Sequence, residues 1–225
     1  MTTTFNAAVG KKFSILFVLI LLKLAISAGL FLAFGSKALA FSEPEFQSAF
    51  QQFMAAPGSE EQAAESFTAL LKKEPAHPLL MAYAGAATTK LANTTMFPWK
   101  KMSYVEDGMA MLDKAVQLAQ VADPKLLHGD TPLPLEVKFV AANTFLAVPG
   151  FLNRAERGSK LLNEVLADAQ FEKTASGFRG AVWMRAAGLA VQQKRHADAR
   201  RFLESVIRSE APQSAAAKAM LKEVA

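Results

Sequence analysis

An all-α fold, a short right-handed solenoid of stacked antiparallel helix pairs, is the architecture this chain predicts, and three observations carry the prediction. Alanine, leucine and glutamate are plentiful while runs of β-branched residues are scarce, a composition that favours helix over strand. Apolar residues recur at three and four positions, the period of a helix with one buried face. A small residue followed by two larger apolar ones also repeats along the chain. It occurs as Ala63, Phe67, Leu70, as Gly108, Leu112, Ala115, as Gly158, Leu162, Val165 and as Ala199, Leu203, Val206. Each trio falls on one helix face, where the small member lets the preceding helix approach closely. The trios begin 45, 50 and 41 residues apart, a period that fits a two-helix unit.

Taken in order, the pattern predicts helices over Glu43–Ala55, Ser59–Lys73, His77–Leu91, Trp99–Gln120 and Leu135–Val148. Four more are expected over Arg154–Ala169, Ala175–Lys194, His196–Ser209 and Ser214–Val224. The punctuation agrees. Ala56-Pro57-Gly58 ends the first helix, and Ser59 with Gln62 three residues on has the form of a capping box for the second. Pro78 and Pro98 stand where a first-turn proline is tolerated, because a helix leaves its first N–H groups unpaired in any case. The segment from Ala122 to Pro134 carries three prolines and Gly129-Asp130 and is expected to be the longest loop, while Pro149-Gly150 closes another hairpin.

Residues 1–40 have a different character. Lys11 and Lys12 precede an apolar stretch from Phe13 to Phe34 that only Lys23 interrupts, and Ala38-Leu39-Ala40 supplies a small-x-small cleavage site. This is the pattern of a secretory signal, with Phe41 as the first mature residue. Twenty-two residues are also enough to cross a bilayer, so an uncleaved anchor facing the periplasm is the alternative. Against it, an ammonium near mid-membrane costs about 2.5–3.5 kcal/mol on insertion scales. The expected address is the periplasm of a Gram-negative envelope, with membrane contact confined to residues 13–34 if they are retained. The remaining residues, 41–225, form a single expected domain.

Charge and cysteine content exclude several classes. The formal charge is +5, but residues 1–40 hold four lysines and no acid, so the remainder carries 21 bases against 20 acids. Near neutrality there is no electrostatic case for nucleic acid, whose binding rests on many phosphate contacts. With no cysteine, the chain has no disulfide, thiolate metal site or cysteine nucleophile.

The last unit resembles a tetratricopeptide repeat. Trp183 is followed by Ala186-Ala187 where the family has leucine-glycine, by Ala190 where it has tyrosine, and then by Ala199, Leu203 and Pro212. In the first unit Ala63, Phe67 and Pro75 are similar to the second half of such a repeat. The resemblance covers about half of the chain after residue 40. It implies a protein-binding surface lined by the first helix of each pair. On that basis the candidate partner-binding residues are Tyr83, Thr88, Lys90, Lys138, Asn143, Arg185 and Gln192.

Signals for chemistry are sparse. His77, His128 and His196 are far apart in sequence, and none has a second ligand at metal spacing. Met96, Met102, Met109 and Met111 could hold Cu(I), but Met102 and Met109 share a helical face with Val105 and Leu112, which reads as core filling. Phe97-Pro98-Trp99-Lys100-Lys101 reads as an apolar junction with its lysines in water. The bases of Lys194-Arg195-His196 and Arg200-Arg201 read as solvated helix surface tempered by Asp198 and Glu204. Glu106, Asp107 and Glu136 are acids that a cell-wall glycan enzyme would need to pair, and no spacing pairs them. The expectation is therefore a non-enzymatic, cofactor-free adaptor that binds another envelope protein or peptide. A glycan enzyme and a lipid or substrate carrier are the rival readings.

Overall fold

The computed structural model describes residues 41–123 and 125–224. The export segment expected over residues 1–40 lies outside the described residues. From Phe41 onward the chain forms one compact unit. Among the described residues it has nine α-helices: α1 (Glu43–Met54), α2 (Glu60–Lys73), α3 (Pro78–Lys90), α4 (Pro98–Val121), α5 (Leu133–Phe145), α6 (Ala155–Ala167), α7 (Ser176–Gln192), α8 (His196–Arg208) and α9 (Ser214–Glu223). Every one lies where the sequence predicts it, with ends displaced by at most three residues.

Sequence neighbours pack in pairs: α1 with α2, α3 with α4, α5 with α6 and α7 with α8, while α9 lies on α8. Helix α3 also packs against α5, and α4 against α5, so neighbouring pairs stack. All twelve members of the four recurring trios are buried. The small residues act as the spacing requires. A Cβ at Gly108 would lie 2.5 Å from the Gly85 carbonyl oxygen and 2.8 Å from the Thr89 nitrogen, so the backbones of α4 and α3 meet with nothing between them. At Gly158 a Cβ would stand 2.8 Å from the Leu146 Cγ and 3.1 Å from the Phe145 Cβ of the preceding helix region.

Burial differs sharply among the helices. All nine residues from Leu79 to Ala87 in α3 are buried, whereas α8 buries only Ala199, Leu203 and Val206. Helix α3 is thus enclosed and α8 is a surface rod with one apolar stripe. Phe46, Phe67, Phe145 and Phe171 are among the largest fully buried side chains. Each stabilises the fold by roughly 1.5–3 kcal/mol through the surface it removes from water. Ion pairs lace the pairs together: Lys73 to Glu45 at 2.5 Å, Lys138 to Glu164 at 2.9 Å, and Asp113 to both Arg154 and Arg157 at 3.0 Å.

Two local expectations are corrected. The long loop holds a short antiparallel ladder, β1 (Leu127–His128) with β2 (Thr131–Pro132), turned at Gly129 with φ +54°. The Ser59 capping box does not form, because Ser59 sits at ψ 4° instead of in the extended region. Its hydroxyl donates to the Gln52 carbonyl of α1 at 2.9 Å, and the Glu60 carboxylate receives the Gly58 N–H at 2.7 Å.

Candidate functional site

A cleft of about 580 Å³ opens where three helix ends meet: the last turn of α3, the first turns of α4, and the last turn of α5 with the 3₁₀ turn Gly150–Leu152 that follows it. The reason for the gap is local. Ala86, Ala92 and Ala147 line it with small side chains where larger ones would fill the space. Phe53 of α1 and Val105 of α4 form apolar wall, and Val148, Phe151 and Leu152 complete it from the α5 side. The volume falls within the range of roughly 300–1,000 Å³ typical of small-molecule sites.

Two of the sequence-derived candidates line this cleft, Lys90 and Asn143. Lys90 is half-buried; its ammonium donates to the Phe53 carbonyl at 2.6 Å and lies 3.8 Å from the centre of the Phe53 ring. Burial lowers its pKa, and the charge of Glu60 opposes that shift. The structure does not gather the other candidates there. Tyr83 is buried, so it is not presented to a partner. Lys138 pairs with Glu164. Arg185 donates to the Asn143 carbonyl at 3.1 Å and so stitches α7 to the end of α5, with burial lowering its pKa. Thr88 lines a second, more polar depression with Tyr104 and Lys72, and Gln192 is exposed at the end of α7.

The rim corrects another expectation. Phe97 and Trp99 do not pack into a junction: Trp99 is 67% exposed, and their rings lie against each other at 4.9 Å between centroids. Met96 and Phe151 are similarly exposed, at 87% and 69%. The cause is that α4 begins at Pro98 but buries nothing before Val105, so its first turn projects beyond the helices that would cover it. The methionines scatter accordingly. Met109 is buried, Met111 packs on the core, Met102 lines the cleft and Met96 faces water.

A second polar assembly lies inside the N-terminal half. The Tyr83 hydroxyl donates to Glu136 Oε1 at 2.8 Å, Glu136 Oε2 meets His128 Nδ1 at 2.7 Å, and His128 Nε2 stands 3.4 Å from Glu43. The Phe46 ring covers the imidazole at 4.4 Å. Burial disfavours charge on His128, but the hydrogen bond and charge of Glu136, aided by Glu43, outweigh it and raise the His128 pKa. Burial, then the adjacent carboxylate, push Tyr83 well above its ordinary value, so it remains a hydroxyl donor. This chain clasps α1, the β-ladder, α3 and α5 together. Of the three acids considered for glycan chemistry, only Glu136 belongs to it. Asp107 is exposed and accepts from Ser103 at 3.2 Å, and Glu106 is exposed. His196 starts α8, beside the Arg195–Asp198–Arg201 surface pairs.

Among the described residues no group of three or more histidines, cysteines or acids could hold a metal ion, and no helix is long and apolar enough to cross a membrane. Comparison with protein-family models, with curated proteins and with solved structures finds no match to this chain.

Proposed function

We propose that the protein is an exported, non-enzymatic adaptor of the bacterial cell envelope, a tetratricopeptide-like solenoid that binds another envelope protein or peptide. The observation that carries this reading is the exposure of Met96, Phe97 and Trp99 around Pro98 and of Phe151 in the 3₁₀ turn, since Pro98 and Phe151 line one cleft between the α3/α4 and α5/α6 pairs. Large aromatics left in water side by side are the residues that dominate protein interfaces, and their rigid rings bury much area at little entropic cost. Lys100 and Lys101 border the patch, so it favours a partner segment with an apolar centre and acidic flanks. The signal pattern of residues 1–40 supplies the compartment. A stack of helical pairs supplies a rigid frame that can vary its surface without losing its core.

The test is affinity capture from envelope fractions under mild crosslinking, with the wild type and a Trp99→Ala/Phe151→Ala variant in parallel. One stoichiometric protein recovered by the wild type and lost by the variant is the expected result. Equal recovery by both would remove the rim from the interface, and recovery of nothing would remove the adaptor reading.

A further inference from the structure

We propose that the cleft beside the exposed aromatics is a binding site for a single-chain lipid with an anionic head. This goes beyond the adaptor reading and does not depend on it. The lining divides into two chemistries. Its walls are apolar, with Phe53, Val105, Val148 and Leu152 facing Met102, whose unbranched thioether adapts to an irregular occupant. Its charged groups are Lys90 and Lys101, and no acidic side chain lines it.

Lys90 is the stronger of the two anchors. Its ammonium carries three N–H donors, and the Phe53 carbonyl takes one of them. Among the described residues no carboxylate lies within ion-pair distance of it. Glu60, the acid that acts on it electrostatically, does not line the cleft and accepts the Gly58 N–H. A half-buried cation whose direct contacts are a carbonyl and a ring face has donors left for a ligand anion, and a charged partner forms stronger hydrogen bonds than a neutral one. Asn93 and Asn143 add amide donors at the same opening. An anionic head beside these groups leaves the alkyl chain to displace water from the apolar wall, and that burial supplies most of the affinity.

The experiment is calorimetric titration of the full chain, stripped of bound lipid, with palmitate, lysophosphatidate, hexadecanol and cetyltrimethylammonium below their micellar concentrations. Both anionic amphiphiles should bind at least about ten-fold more tightly than the neutral and cationic ones, the gain expected from one charge-assisted contact. The tighter of palmitate and lysophosphatidate identifies a carboxylate or a phosphate head. Lys90→Met/Lys101→Met should erase that preference and leave hexadecanol binding unchanged. Ala147→Trp, at an exposed position on the lining, should abolish binding of every amphiphile with no loss of thermal stability. Equal affinity for palmitate and cetyltrimethylammonium, undiminished binding by Ala147→Trp, or no binding by the stripped wild type would each overturn the proposal.

Discussion

The hydroxyl of Tyr83 and the carboxylate of Glu136 meet at 2.8 Å across 53 residues of sequence, joining α3 to α5 inside the molecule. Tyr83→Phe keeps the ring among Phe46, Phe53 and Phe67 but leaves a buried carboxylate oxygen without that donor. A loss of about 1–3 kcal/mol is expected in urea-induced unfolding, the cost of an unsatisfied buried acceptor. An unchanged midpoint would mean that water replaces the hydroxyl.

His128 and His77 should respond to pH with opposite signs. The His128 pKa is raised above 6.5 in the folded state, by Glu136 and Glu43 acting against burial. Its stabilising contribution is therefore complete below pH 6.5 and is lost as pH rises through the folded value. His77 is lowered, first by burial and then by the charge of His128, with Glu74 opposing. Its contribution is present above pH 6.5 and is lost as pH falls through the folded value. Unfolding free energies measured against pH should show the gap between wild type and His128→Gln narrowing toward alkaline pH. The His77→Gln gap should narrow toward acid.

Two glycine substitutions should diverge. Gly108→Ala places a methyl group against the Gly85 carbonyl and the Thr89 backbone, neither of which can rotate away. It is expected to destabilise by about 1–3 kcal/mol or more, despite the better helix propensity of alanine. Gly188 lies inside α7 with open space where a Cβ would stand. Gly188→Ala should therefore gain up to about 1 kcal/mol. Thermal unfolding of the two variants side by side checks both signs.

Trp183 is buried in α7 and meets the Phe171 ring edge-on at 5.5 Å, with the Arg179 guanidinium 5.9 Å from its own ring. Trp183→Ala should cost about 3–5 kcal/mol by leaving a cavity between α7 and the turn at Phe171. Retained stability would mean that Phe171 and Phe178 collapse into the space.

Helix positions were legible because they depend on local spacing: the trios headed by Ala63, Gly108, Gly158 and Ala199 each mark one buried face, and all their members are buried. The β-ladder was not legible, since two residues per strand leave no period to read. Ser59 shows a different limit. A capping pattern is local, but the Gln52 carbonyl that captures the hydroxyl belongs to the preceding helix. At the cleft, Lys90 and Asn143 were found as polar residues of first helices, whereas Lys101 and Phe151 reach it from α4 and from a 3₁₀ turn that no helical pattern announces. The exposure of Trp99 is not legible either, because whether a first turn is covered depends on where its neighbours stop.

The enclosure of α3 has a consequence for how the molecule can be cut. A rod hidden on every side owes its shelter to α2, α4 and α5 at once, so deleting any one of these would strand it in water. Helix α9 packs chiefly on α8, with Gln213 at its start donating to the Gly177 carbonyl of α7, and it makes no comparable contact with α3. Removing α9 is therefore expected to leave a folded remainder, whereas removing α2 is expected to unfold the chain.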